Sequence, residues 1–185
     1  MSHDEQVREG EITLPVDPAD MALLADTPRC VFIGHIETPW KTRADCPRNL
    51  QQARRRMKEM GRTATLHIDE PFRPGLLRLE DHSHIIVGYW MHQAARHIIV
   101  QRPRHMPGPR GVFSLRSPVR PNPVALSTVR LLEVNHDAGT VRIDAIDCIS
   151  GTPLFDLRPW VADIDLPEDW CERSRHEENH EDPDA

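Results

Sequence analysis

Hydrophobic and polar positions alternate with a period of two along much of the chain, the pattern of strands with one buried face. The clearest case is HSHIIVGYWMH, residues 82–92, rich in β-branched and aromatic side chains. A strand there puts His82, His84, Ile86, Gly88, Trp90 and His92 on one face, with Ile85, Val87, Tyr89 and Met91 on the other. RCVFIGHIETP (29–39) predicts a buried strand closed by Pro39, and TATLHID (63–69) predicts another. Further strands are expected at RHIIVQRP (96–103), GTVRIDAID (139–147) and PLFDLRPWV (153–161), the last two flanking a turn at Ser150-Gly151-Thr152. Two segments depart from the alternation. NLQQARRRMKEMGR (49–62) collects helix formers and a Gly61 stop, and EPFRPGLLRLED (70–81) reads as a turn with a short helix. Many short strands, little helix and no βαβ alternation predict a mostly-β barrel or sandwich with a small helical insertion, and disfavour a doubly wound sheet. The expected organisation is an acidic N-terminal arm over 1–27, one folded domain over 28–165, and an acidic, flexible tail over 166–185.

GVFSLRSPVRPNPVALSTVRLLEV (111–134) sets a proline-rich turn between a strand-like lead-in and a strand-like exit. Pro118, Pro121 and Pro123 fix φ, supply no N–H and push their predecessors toward extended geometry, so 116–123 is neither helix nor central strand. Two readings of Arg116 and Arg120 stand side by side. The loop is a rigid connector with solvated arginines, or its stiffness holds planar, permanently charged forks where an anion sits.

Charge sharpens the second reading. The 185 residues carry 23 basic and 29 acidic side chains, net −6, but unevenly. Residues 1–40 are net −6, residues 41–120 net +10 and residues 121–185 net −10. A basic central segment inside an acidic protein is the footprint of a localised phosphate-binding face. Its candidates are Arg54, Arg55, Arg56, Arg102, Arg104 and Arg110, joined by Arg120, although a run such as 54–56 also suits a solvated helix face.

Other chemistry is thinner. Cys30, Cys46, Cys148 and Cys171 are far apart, so neither a disulfide framework nor a zinc knuckle is indicated. No apolar run approaches a membrane span and the acidic start lacks a signal-peptide pattern, so a cytoplasmic protein with no membrane association is expected. His82, His84 and His92 share a strand face, yet no carboxylate or thiolate pattern completes a ligand set, and no metal is expected. Neither a G-x-G-x-x-G turn nor a phosphate-cradling P-loop is present. Asp144 and Asp147, in RIDAIDCISGTP, are turn acceptors or carboxylates that recognise ribose hydroxyls or an amine.

Four stretches together resemble the TsaA-like family, the TrmO-type tRNA methyltransferases: IGHIETPW (33–40), HSHIIVGYWMHQ (82–93), VQRPRHMPGPRGVFSLRSPVRPNPVALSTVRLLEV (100–134) and IDCISGTPLFDLRPWV (146–161). The resemblance implies a small β-barrel without a Rossmann fold, usually dimeric, that binds S-adenosyl-L-methionine. It implies methylation of N6 of threonylcarbamoyladenosine beside the anticodon of a threonine-type tRNA. By motif it assigns cofactor contacts to Pro47, Arg48 and Asn49, to His92 and Gln93, to Arg116, to Leu126, and to Asp144, Ala145, Ile146 and Asp147. The chain departs from the family pattern at Asn49 (for Gln), Leu115 (for Thr), Ala125 (for Gly) and Ser150 (for an acid). Two alternatives stand beside this implication. One is a protein of the same fold acting on another RNA or a small molecule, and the other is a non-catalytic S-adenosyl-L-methionine-binding module. No catalytic residue is assigned, since methyl transfer from a sulfonium is a displacement that needs alignment rather than a covalent nucleophile.

Overall fold

Alternation becomes a closed surface when the last strand finds the first. A computed structural model of the chain describes residues 30–103 and 106–167, with the backbone of Ile12–Thr13. Its strands, labelled in chain order, are β1 (Ile12–Thr13), β2 (Gly34–Glu37), β3 (Ala64–Ile68), β4 (His84–Trp90), β5 (Ile98–Gln101), β6 (Arg110–Gly111), β7 (Val124–Asn135), β8 (Thr140–Ile143) and β9 (Thr152–Pro159). Six of them form an antiparallel barrel in the order β2-β3-β8-β7-β4-β9. The pattern left barrel and sandwich open; closure through the β2–β9 pairing makes it a barrel. A separate three-stranded sheet, β1-β5-β6, lies outside it.

The inward face of β4 carries Ile85, Val87 and Tyr89, all buried, as the alternation predicts. They meet Ile36, Ala64, Leu66, Val129, Val141, Ile143 and Leu154 from the other barrel strands. Gly34 is where β2 crosses closest to β3: a Cβ there would lie 1.8 Å from the His67 carbonyl oxygen. Only glycine allows this register.

Helix α1 (Leu50–Met60) follows its sequence signals closely. Asn49 caps it by accepting from the Gln52 N–H at 2.8 Å, and the Gln52 side chain accepts in turn from the Arg48 N–H at 2.7 Å, so two otherwise unpaired donors are satisfied. Gly61 ends it in the left-handed region, φ 60°. Ala53 and Met57, one turn apart, bury its inner face against the barrel. Burying the Met57 side chain contributes roughly 1.5–3 kcal/mol. A four-residue helix, α2 (Ala162–Asp165), follows β9.

Three expectations need correction. The strand read over 29–39 starts only at Gly34 and ends at Glu37. The strand read over 139–147 stops at Ile143, because Asp144 turns the chain back: its N–H donates to the Arg130 carbonyl at 3.1 Å and its carboxylate accepts the Arg130 N–H at 2.9 Å. The lead-in to the proline loop is a short 3-10 turn, Val112–Ser114, after the two-residue β6. Residues 116–123 are irregular, as the prolines require. Most of the predicted arm and tail lies outside the described residues. No helix among those described is long and apolar enough to cross a membrane.

Candidate functional site

Where β8 ends, the chain runs through Asp144–Asp147 across one end of the barrel, and this segment is tied down along its length. Trp40, 2% exposed, donates its indole N–H to the Ile146 carbonyl at 3.1 Å. Thr38 Oγ1 donates to the Cys148 carbonyl at 3.0 Å, and the Ser150 N–H donates to the Trp40 carbonyl at 2.7 Å. Ala145 and Ile146 are fully buried in the barrel core, so toward a ligand they offer backbone rather than side chain.

Asp147 is different. Its half-buried carboxylate accepts the Tyr89 hydroxyl at 3.1 Å, and that hydroxyl lies 3.0 Å from Ser127 Oγ. Burial, with the neighbouring carboxylate adding to it, raises the Tyr89 phenol above its ordinary range, so it stays a neutral donor. The Asp147 carbonyl accepts the Cys46 thiol at 3.3 Å. Burial first, then the Asp147 carboxylate, push the Cys46 thiol up to about 11. This contact brings the Pro47-Arg48-Asn49 loop beside the 144–147 segment. Pro47 is buried, Asn49 is occupied as the helix cap, and the exposed Arg48 guanidinium has no hydrogen-bond or ion-pair partner among the described residues.

Asp144 serves the fold. Besides the Arg130 N–H, it accepts Arg54 Nε at 3.0 Å, while Arg54 also donates to the Thr128 carbonyl at 2.7 Å. One guanidinium therefore ties α1, β7 and the 144–147 segment together.

None of the remaining predicted residues makes a hydrogen bond or ion pair with Asp147 among the described residues. Leu126, opposite Gly88 in the β4–β7 ladder, projects from β7 on the face away from Ser127 and is 55% exposed. His92 and Gln93, exposed, follow β4 where the Met91 N–H donates to the Pro123 carbonyl at the end of the proline loop. Arg116 is exposed in that loop and makes no hydrogen bond or ion pair with a described residue. Arg120 is half-buried and braces the loop from within, donating to the carbonyls of Val112 at 3.1 Å and Leu115 at 3.4 Å. Arg96 holds it from the other side, with Nε on the Pro121 carbonyl at 2.8 Å and its guanidinium over the Trp90 ring.

Of the predicted phosphate contacts, Arg55, Arg102 and Arg110 are exposed, and Arg104 lies outside the described residues. Arg56 is turned inward, donating to the Asp45 carbonyl at 2.8 Å and lying 4.4 Å over the Trp40 ring. With Arg54 committed to Asp144, two of the three consecutive arginines hold the protein itself together. In sequence, Tyr89 sits simply among apolar neighbours. A tyrosine on a strand's inward face needs a partner for its hydroxyl, and that need was the available signal.

Comparison with known proteins gives a consistent picture. The family model for the tRNA-methyltransferase O N-terminal domain matches residues 35–166. A probable S-adenosyl-L-methionine-binding protein, VirR, from Rhizobium radiobacter is 35% identical over 158 residues, 85% of this chain and 81% of that protein. A tRNA (adenine(37)-N6)-methyltransferase from Rattus norvegicus is 36% identical over 104 residues, 55% of this chain and 24% of that protein. A crystal structure of TrmO from Pseudomonas aeruginosa superposes with TM-score 0.58 at 28% identity, covering 77% of this chain and 60% of the other. Another TrmO crystal structure gives TM-score 0.60 at 30% identity, with 77% and 62% covered. The chain thus spans about three fifths of the length of these structures.

Proposed function

Because the chain belongs to the tRNA-methyltransferase O N-terminal domain family, we propose that it is an S-adenosyl-L-methionine-dependent methyltransferase acting on N6 of adenine 37 in tRNA. The acceptor is the threonylcarbamoyl form of that adenine in a threonine-type tRNA, and the working form is a cytoplasmic homodimer. The observation that carries the cofactor reading is the Asp147 carboxylate: half-buried, held through one oxygen by Tyr89, and next to the loop that presents Arg48.

This donor set fits the cofactor. A carboxylate suits ribose hydroxyls or the ammonium group, a guanidinium with no partner among the described residues suits the carboxylate end, and the backbone between Asp144 and Asp147 is anchored against movement. S-adenosyl-L-methionine supplies a methyl group activated on a sulfonium centre. The protein's part is alignment, which contributes on the order of 7–11 kcal/mol to such displacements. Asp147, oriented by Tyr89, receives the nucleoside or amine end, and Arg48 or Arg116 receives the carboxylate. Pro47 and the buried Ala145–Ile146 backbone form a wall that does not yield.

Calorimetry and transfer assays test this together. Asp147→Ala and Arg48→Ala are expected to weaken cofactor binding at least tenfold, and wild-type protein with labelled cofactor is expected to label bulk tRNA, with the modified nucleoside identified by mass. Wild-type affinity in both variants removes the assigned roles. A second reading, a binding module without transfer, accords with the name of VirR, a probable S-adenosyl-L-methionine-binding protein. Tight cofactor binding with no labelled RNA would establish it instead.

A further inference from the structure

The structure redistributes the basic residues of α1. Its inner face is set by Ala53 and Met57, so Gln51, Arg55 and Lys58 fall on the opposite face, continued past the cap by Arg62 and preceded by Arg48. Arg48 and Arg62 bracket the eleven-residue helix just outside its Asn49 and Gly61 caps, at the two ends of the line that Arg55 and Lys58 mark along it. All are exposed. Arg54 and Arg56 face elsewhere, consumed by Asp144, Thr128, Asp45 and Trp40. The side chains of Lys58 and Arg62 have no hydrogen-bond or ion-pair partner among the described residues. Arg55 has only Glu59 at 4.0 Å, both side chains largely exposed, a pairing too loose to neutralise it.

The line has two defined ends. At the N-terminal end it meets the loop whose Cys46 touches Asp147. At the other it opens into a cleft of about 380 Å³ lined by Lys41, Gly61, Arg62, Thr63 and Thr65. The carboxylate in that lining, Glu37, is already engaged by His67 Nε2 at 2.8 Å. At ~1.5 Å per residue the eleven-residue helix is about 16 Å long, the reach of a few nucleotides.

We propose that Arg55, Lys58 and Arg62 form a track for an RNA backbone that enters at the Lys41–Arg62 cleft and leads along α1 to the Asp147 site. Phosphates are the occupant that a row of solvated cations ending in hydroxyls and backbone suits, and an acidic protein as a whole gives little other reason for such a row. The inference rests on an RNA being the substrate, and its test separates the two claims.

The experiment compares wild type with the triple variant Arg55→Gln, Lys58→Gln, Arg62→Gln, and with Arg78→Gln as an off-track control whose charge is paired with Asp81. Binding of labelled bulk tRNA is titrated across salt concentrations, alongside cofactor calorimetry and thermal melting. Loss of three phosphate contacts should lower the slope of log K against log salt by about 2. The tRNA KM should rise at least tenfold with kcat, cofactor affinity and melting temperature unchanged, while the control behaves as wild type. An unaltered slope in the triple variant overturns the track, as does a wild type with no RNA affinity. RNA binding through these cations without methyl transfer upholds the track and removes the proposed activity instead.

Discussion

Replacing Tyr89 by Phe removes one oxygen from the barrel core and nothing else of its shape. Tyr89 is 3% exposed, and its hydroxyl joins Ser127 Oγ at 3.0 Å to Asp147 Oδ1 at 3.1 Å. Two effects follow. Ser127, 7% exposed, loses its side-chain partner, and a buried hydroxyl left unsatisfied costs roughly 1–3 kcal/mol. Asp147 loses a donor, but it reaches solvent and water replaces part of that bond. The expected destabilisation is about 2 kcal/mol, read in urea as a lower midpoint at unchanged m. A double-mutant cycle with Asp147→Ala isolates the link: the hydroxyl–carboxylate pair should show a coupling of about 1 kcal/mol. In the cofactor assay, Tyr89→Phe should weaken binding about fivefold, the affinity equivalent of about 1 kcal/mol. Effects of Tyr89→Phe and Asp147→Ala that simply add, in both stability and affinity, would refute the claim that Tyr89 orients the carboxylate.

Other outcomes are equally specific. Arg54→Ala should destabilise by about 1–2 kcal/mol, the value discounted because its side chain is half-exposed, and Arg54→Lys should fail to rescue, since an ammonium does not span Asp144 and the Thr128 carbonyl as a fork does; thermal melting checks both. Gly34→Ala drives a methyl into the His67 carbonyl, and the soluble yield and sheet content of that variant should collapse. Cys46 is a poor nucleophile because its thiol titrates near 11, so alkylation at pH 8 should modify the exposed Cys30 first and reach Cys46 faster only as pH rises toward that value; peptide mass mapping reads the order, and rapid labelling of Cys46 at pH 8 contradicts the assigned burial.

Much of the scaffold was legible because local chemistry and global packing agree. Asn49 and Gly61 mark α1 to within a residue, and the two-residue period of 84–90 places Ile85, Val87 and Tyr89 inward without knowledge of their partners. Barrel closure was legible only through the family resemblance, since which strand meets β2 is decided by long-range packing rather than by any periodicity. The 112–114 turn was misjudged because Val and Phe favour strands, yet Pro118 and the Arg120 brace leave too little chain for one. The site divides along the same line. Asp144 and Asp147 read alike in sequence; the bonds of Asp144 to Arg54 and Arg130, and of Asp147 to Tyr89, tell them apart, and Tyr89 is hidden among apolar neighbours. Arg54 and Arg56 were indistinguishable from Arg55 until the inner face of α1 was fixed by Ala53 and Met57.

The Arg54 guanidinium joins positions 54, 128 and 144, which are remote in sequence, at one point on the barrel rim. Amide protons at the start of α1, in the middle of β7 and around Asp144 are therefore expected to show correlated exchange with solvent, since opening any one of the three breaks its Arg54 bond to the others. A load applied to the helix is felt in the 144–147 segment, and anything that steadies that segment also slows fraying of the helix.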